Sequence, residues 1–109
     1  METEVEILIQ VRAAVQQKVI FLPHALRQML RPDRMIRRAE VRRVITEGEV
    51  IEEYPKDVRG HSCLLLGFGD QERPIHVVCA PREDYLAIIT AYLPDVHEWS
   101  SDFRKRVKK

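Results

Sequence analysis

The chain has 109 residues, enough for one domain with a single hydrophobic core, and its 45% hydrophobic and 32% charged residues are typical of a globular protein. No apolar run approaches the roughly 18 residues of a membrane span, and the N-terminus is acidic where a secretory signal would be basic, so we expect a cytoplasmic protein without membrane contact. The net charge of +1 gives no argument for nucleic-acid binding by the molecule as a whole.

The N-terminal segment from Glu4 to Gln17 contains no helix breaker and repeats apolar residues at helical spacing, which predicts a helix. These residues cover so much of the helix that it should bury them against the domain or against a second copy of the chain, forming a homo-oligomer. They are Val5, Ile7, Leu8, Ile9, Val11 and Val15. We divide the chain into a helical extension (1–18), a core (19–94) and a basic C-terminal tail (95–109).

Two further helices should follow. Residues 19–22 form a short apolar segment, and the proline that comes next suits the first position of a helix over residues 23–30. Pro32 interrupts this pattern, because proline disfavours helical backbone at the residue before it. A third helix is predicted over residues 37–46, with Gly48 as its C-terminal cap.

From residue 49 the sequence changes to the alternating pattern of strands. Strands are predicted at 49–54, 62–68, 74–80 and 85–93, and their short connections require antiparallel neighbours. Residues 96–107 form either a terminal helix or a frayed tail. The order of elements predicts an α+β domain, with N-terminal helices packed on one face of a four-stranded antiparallel sheet.

The second predicted helix carries a histidine and two arginines on one face, because His24, Arg27 and Arg31 are three and seven positions apart. Neighbouring guanidinium groups favour a neutral imidazole, which can accept a proton, while an arginine can hold a phosphate. The alternative is a histidine that only caps the helix or packs. The arginine-rich stretch from Arg27 to Arg43 is correspondingly either a solvated helix face or a polyanion-binding surface.

Three polar residues, His76, Thr90 and Tyr92, interrupt the otherwise apolar last two strands. Strict alternation places Thr90 and Tyr92 on one face with Leu86 and Ile88. Such a set can be a catalytic cluster, or His76 and Tyr92 can be core-facing side chains satisfied by backbone groups.

The register of these two strands decides whether the polar residues meet. If Ala80 pairs with Tyr85, Ile89 lies opposite His76. If Pro81 pairs with Tyr85, Thr90 lies opposite His76 and Tyr92 lies nearby. We favour the second register because it gathers the polar side chains on one face.

Further basic residues flank the strands. Arg73 begins the strand that contains His76, and Arg59 and His61 lie in the loop before the second strand. Metal-free RNA cleavage needs a base for the 2′-hydroxyl, an acid for the leaving 5′-oxygen and cations for the phosphorane charge. We therefore predict His24, His76, Thr90 and Tyr92 as catalytic residues, and Arg27, Arg31, Arg59, His61 and Arg73 as RNA- and phosphate-binding residues.

Both cysteines, Cys63 and Cys79, lie in apolar strand sequence and should be buried, reduced thiols. The chain has neither a CxxC nor an HxxxH pair, so we expect no metal ion and no other cofactor.

Several motifs resemble a bacterial domain-of-unknown-function family related to the RelE-like toxins. They are PHA at residues 23–25, then GEVIEEYP, RGHSCLLLGF, RPIHVVCAP, IITAYLPD and EW, and the resemblance extends from about residue 19 to residue 106. The chain departs from the family pattern at Gln28, where family members usually have an arginine.

This resemblance implies a ribonuclease toxin whose helices pack on one face of a four-stranded antiparallel sheet and whose active site lies on the opposite face. It implies RNA as substrate, with ribosome-bound mRNA as one form, and a small antitoxin protein as partner. It marks His24, Arg73, His76, Thr90 and Tyr92 as sites of interest. The alternative function is a non-catalytic module that docks a partner protein through its sheet edge or its N-terminal helix.

Overall fold

Three helices pack against one face of a five-stranded sheet. The computed structural model describes residues 2–107, with side chains from residue 6 onward. The helices are α1 (Glu2–Gln17), α2 (Pro23–Met29) and α3 (Arg38–Glu47), and the strands are β1 (Val19–Phe21), β2 (Glu49–Tyr54), β3 (Ser62–Phe68), β4 (Pro74–Pro81) and β5 (Leu86–Tyr92). The predicted α+β class is confirmed.

The strand order across the sheet is β1-β5-β4-β3-β2. The four predicted strands are antiparallel neighbours, as expected, but the predicted strand number is wrong because residues 19–21 add a fifth strand, parallel to β5. The backbone N–H of Leu86 donates to Lys18 O (2.7 Å), and that of Leu22 donates to Ile88 O (3.1 Å). These bonds fix β1 and therefore the start of α2 beside β5.

Helix α1 docks on the body of the domain. Ile7 and Val11 are completely buried, and they belong to the same apolar cluster as the inner faces of α2, α3 and the sheet. The Arg12 guanidinium ties α1 to the end of α3, donating to the backbone oxygens of Ile45 (3.2 Å) and Gly48 (2.9 Å). Burial against the domain is thus confirmed for this helix, but the predicted burial of Ile9 is wrong, because this side chain faces away from the domain and is 63% exposed. The prediction for Val5 lies outside the described side chains.

The longer turn and a bulge in β5 together make both predicted registers wrong. Pro81 pairs with Leu86, so the connecting loop contains residues 82–85, and the pairing then skips Ile89 before Thr90 pairs with Val78. The extra residue reverses the alternation of β5. Leu86 and Ile88 face the helices, whereas Thr90 and Tyr92 lie on the face that carries His76. The single face predicted for all four residues is therefore wrong, but the predicted gathering of the polar side chains on one face is confirmed.

Residues 95–107, which we call the C-terminal segment, fold back over the other face of the sheet. They form turns closed by one isolated bridge between Trp99 and Arg106, so neither a terminal helix nor a frayed tail describes them. Arg104 and Arg106 donate to the carboxylates of Glu49 and Glu52 on β2, each at 2.8 Å. Trp99 is only 4% exposed, so the segment buries its own apolar side chain against the sheet.

The two cysteines lie directly opposite each other on β3 and β4, buried and free. The hydrogen bond that the Cys79 thiol donates to Cys63, together with burial, raises the pKa of Cys79. Buried, reduced thiols were predicted and are confirmed. Within residues 2–107 no helix is long and apolar enough to cross a membrane.

Candidate functional site

A groove of about 490 Å³ lies between α2, the end of β5 and the C-terminal segment, and we call it the His24 groove. Three of the four predicted catalytic residues line it: His24 from the first turn of α2, and Thr90 and Tyr92 from β5. The bulge at Ile89 is what turns the two β5 side chains together to this side. The fold therefore brings together polar residues from two separated motifs.

His24 is exposed and occupies the second position of α2, directly after Pro23. The helix has no side-chain cap, so the imidazole is not used as the helix cap. One turn later Gln28 also lines the groove, and its amide oxygen accepts a hydrogen bond from Arg34 Nη1 (3.2 Å). Burial and the nearby Arg31 lower the pKa of Arg34, but its guanidinium remains charged at neutral pH, so the α2 side of the groove is positive.

His76 lies behind Tyr92 and is completely buried. Its Nε2 is 2.9 Å from the backbone oxygen of Phe103, which can only accept, so Nε2 carries the proton in the neutral ring. Nδ1, 3.2 Å from the Tyr92 hydroxyl, then accepts a hydrogen bond from that phenol. The imidazole also meets the Trp99 ring edge-on, with ring centroids 4.4 Å apart. Both ring nitrogens are therefore occupied inside the fold.

Burial sets the protonation of this pair. Loss of solvent lowers the pKa of His76, and the hydrogen bond to Phe103 only partly opposes that effect. Burial also raises the pKa of Tyr92. At neutral pH the imidazole is uncharged and the phenol keeps its proton, so Tyr92 can donate a hydrogen bond or a proton but is a poor base.

The C-terminal segment gives the groove a negative side. Asp95, Glu98 and the buried Trp99 line it opposite α2. A phosphate would therefore lie on the α2 side, near Arg34. Among the described residues no group of three or more His, Cys, Asp or Glu side chains could hold a metal ion.

Arg73 does not line the groove, because it clamps the loop between α2 and α3. Its Nη1 and Nη2 donate to the backbone oxygens of Arg34 (2.6 Å) and Met35 (2.8 Å), and Nη2 and Nε donate to Glu40. Burial of the Glu40 carboxylate opposes its ionisation, but hydrogen bonds from Arg73 and from two backbone N–H groups, of Arg37 and Asp70, lower its pKa to about 2. Four N–H groups of Arg73 are used within the protein.

The remaining predicted phosphate contacts lie in two other places. Arg27 is exposed to solvent on α2, and Arg31 pairs with Asp33. Arg59 and His61 lie at the opposite end of the sheet, in the loop before β3, where they pair with Asp57 and Glu53 respectively. None of these four residues, and none of their ion-pair partners, lines the His24 groove.

Sequence reasoning missed Arg34, Gln28 and the C-terminal carboxylates as lining residues. Gln28 stands four positions after His24, so helical spacing could have found it. Nothing local indicates Asp95 and Glu98, because their position depends on how the C-terminal segment folds back.

Residues 21–93 match the model of the family described as Domain of unknown function (DUF4258). The chain belongs to this family. The matched region runs from β1 to β5, so it contains His24, Thr90 and Tyr92 but ends before Asp95 and Glu98. Comparison with curated proteins and with solved structures found no match. The family description assigns no activity, so a functional assignment depends on the chemistry of the groove.

Proposed function

We propose that this member of the DUF4258 family is a ribonuclease toxin related to the RelE-like toxins, and that it cleaves RNA in the His24 groove without a metal ion. The observation that carries the proposal is the lining of the groove, in which an exposed imidazole, a protonated phenol and a threonine hydroxyl share one cavity with a guanidinium. These groups match the base, acid and cation that cleavage by a 2′-hydroxyl requires.

In the proposed reaction the imidazole of His24 removes the proton of the 2′-hydroxyl, and the 2′-oxygen attacks the adjacent phosphorus. The bond to the 5′-oxygen breaks, and this leaving group takes the proton of the Tyr92 phenol. The products are a 2′,3′-cyclic phosphate and a free 5′-hydroxyl, and the proton on His24 restores the phenol through solvent. Arg34 stabilises the charge of the phosphorane, and Thr90 donates a hydrogen bond to the phosphate.

His76 acts in this proposal as a positioning residue. Its Nδ1 accepts the hydrogen bond of the Tyr92 phenol, while its Nε2–H is committed to Phe103. This bond places the phenol oxygen at the groove without contact between the imidazole and RNA, and the O–H turns from Nδ1 to the leaving 5′-oxygen when it donates its proton. Arg27 lies on the same helix as His24, and Arg31 follows the end of that helix; both would contact the RNA strand beyond the cleaved phosphate.

The partners in this proposal are RNA, with ribosome-bound mRNA as a candidate form, and a small antitoxin protein. The reaction takes place in the cytoplasm. The proposal requires no cofactor and no second copy of the chain.

Induced expression of wild type and His24→Ala tests the proposal, with growth and total-RNA profiles as readouts. Loss of a proton-transfer group costs about 10²–10⁴-fold in rate, so His24→Ala should restore growth and intact RNA. His97→Ala is the matched control, because His97 is an exposed histidine outside the groove lining and its removal should leave toxicity unchanged.

A second candidate is a non-catalytic protein-binding module. It is favoured by the burial of His76 under the C-terminal segment, whose Phe103 oxygen accepts the ring's Nε2–H while the Tyr92 hydroxyl of β5 donates to Nδ1. The docking elements would be the edge strand β2 or helix α1, whose Ile9 is 63% exposed. Wild-type protein that leaves RNA intact, alone and on ribosomes, would favour this candidate over the ribonuclease.

A further inference from the structure

A second groove, of about 220 Å³, lies on the other side of α2, between this helix and the loop that leads into α3. Its floor is formed by the nearly buried Met29 and Ile36, and its rims by Leu30 and Met35, whose exposed fractions are 64% and 56%. We call it the Leu30 groove. Its size suits one large apolar side chain, and its floor is apolar.

The fold holds the rim of this groove in place. Met35 has a left-handed backbone (φ 48°), which is unfavourable for a residue with a side chain. Its carbonyl oxygen is fixed by Arg73, whose guanidinium is bound in turn to the buried Glu40, and the N–H of Ile36 donates to Met29 O (2.8 Å). A rigid rim needs little ordering when a ligand binds, so less of the binding energy is lost.

The charge around the Leu30 groove is positive. Two arginines, Arg37 and Arg38, line it. Arg37 is paired with Asp70, but Arg38 stacks on the Phe21 ring, 5.4 Å from its centroid, and makes no ion pair within the described part of the chain. Such a rim is complementary to carboxylates next to an apolar anchor.

We propose that the Leu30 groove docks a segment of a partner protein that inserts one phenylalanine or leucine and places acidic residues beside it. A single anchor in a preformed pocket, surrounded by charge pairs that set its orientation, is how a small surface gains specificity. The groove and the His24 groove lie on opposite sides of α2, so this proposal is independent of RNA cleavage.

Three short synthetic peptides test the proposal by fluorescence anisotropy with the full-length protein. The first has one phenylalanine flanked by glutamates, the second replaces the phenylalanine with alanine, and the third replaces the glutamates with lysines. The first should bind about tenfold or more tightly than the second, because burial of an aromatic side chain is lost in the second. The third should bind several-fold more weakly than the first.

Protein variants locate the binding. Leu30→Ala and Leu30→Glu should weaken the first peptide, by about tenfold for the charged residue, and Arg38→Glu should reverse the preference between glutamate and lysine peptides. Val58→Glu is the control, because Val58 is fully exposed elsewhere and its change should leave affinity unaltered. Circular dichroism of each variant verifies that it is folded.

Three results would overturn the proposal. One is the absence of binding by the first peptide, and another is equal binding of the phenylalanine and alanine peptides. The third is that Arg38→Glu weakens the binding of a single-stranded RNA oligonucleotide and Leu30→Ala does not, while neither substitution changes the affinity for the first peptide. That result would assign the arginines to RNA and leave the apolar floor without a ligand.

Discussion

Replacement of His76 by alanine should release the C-terminal segment. The change removes a fully buried ring that contacts Trp99 and Tyr92, and it leaves the carbonyl of Phe103 without its donor. Deleting a large buried side chain costs about 2–5 kcal/mol, and an orphaned polar group about 1–3 kcal/mol. Since the carbonyl can reach water once the segment moves, we expect the lower part of that combined range, about 3 kcal/mol of unfolding free energy.

Urea unfolding measures this loss, and Trp99 reports where it arises because it is the only tryptophan in the chain. In His76→Ala the native emission should shift to longer wavelength, since Trp99 leaves the sheet. In a chain truncated after Pro94, which lacks the segment, the same substitution should cost only about 1 kcal/mol, a coupling of the size expected for residues in contact. Val77→Ala is the control, because Val77 faces the helices and should cost the same in both chains.

Equal costs of His76→Ala in the full-length and truncated chains would refute this reasoning. Unchanged native Trp99 emission would do so as well, because His76 would then not hold the segment in place.

Three further predictions follow from the buried groups. Folding lowers the pKa of His76, so the unfolded chain binds more protons than the folded chain below the ordinary histidine pKa of 6.5. Urea titrations should therefore show the full contribution of His76 to the unfolding free energy above pH 6.5 and a loss of that contribution below it. This loss should be absent in His76→Gln. Folding also lowers the pKa of Glu40 from 4.5 to about 2, so Glu40→Gln should cost about 3 kcal/mol at pH 7, and its difference from wild type should shrink as pH falls from 4.5 towards 2. A Glu40→Gln variant as stable as wild type at pH 7 would show that the bond to Arg73 contributes nothing. Native Cys63 and Cys79 should react with a thiol reagent only at the rate of unfolding, and rapid labelling would contradict their burial.

Local patterns made most of the secondary structure predictable. Helix α1 and the strands β2 to β5 each have a clear period, and the short turns between the last three strands leave only antiparallel pairing. Strand β1 could not be predicted, because three residues pair with a strand more than sixty positions away. The bulge at Ile89 has no glycine or other local signal, and its single extra residue separated Thr90 and Tyr92 from the face of Leu86 and Ile88, which strict alternation had given all four residues.

The candidate site was predictable only in part, for a related reason. His24, Thr90 and Tyr92 stand out as polar residues in apolar surroundings, and all three line the His24 groove. The position of Arg73 depends on Glu40, a carboxylate within the buried stripe of α3 whose burial is compensated only in the folded chain. The sequence shows each residue separately, whereas the choice between an internal ion pair and a phosphate contact depends on tertiary neighbours.

RNA cleavage in the His24 groove is decided by the ends of the RNA fragments that the purified protein releases in the presence of a chelator. We expect wild type to leave 2′,3′-cyclic phosphates, His24→Ala to lose about 10²–10⁴-fold in rate, and His97→Ala to retain full activity. Fragments with other ends, cleavage that survives in His24→Ala, or intact RNA after incubation with wild type would contradict the proposed mechanism.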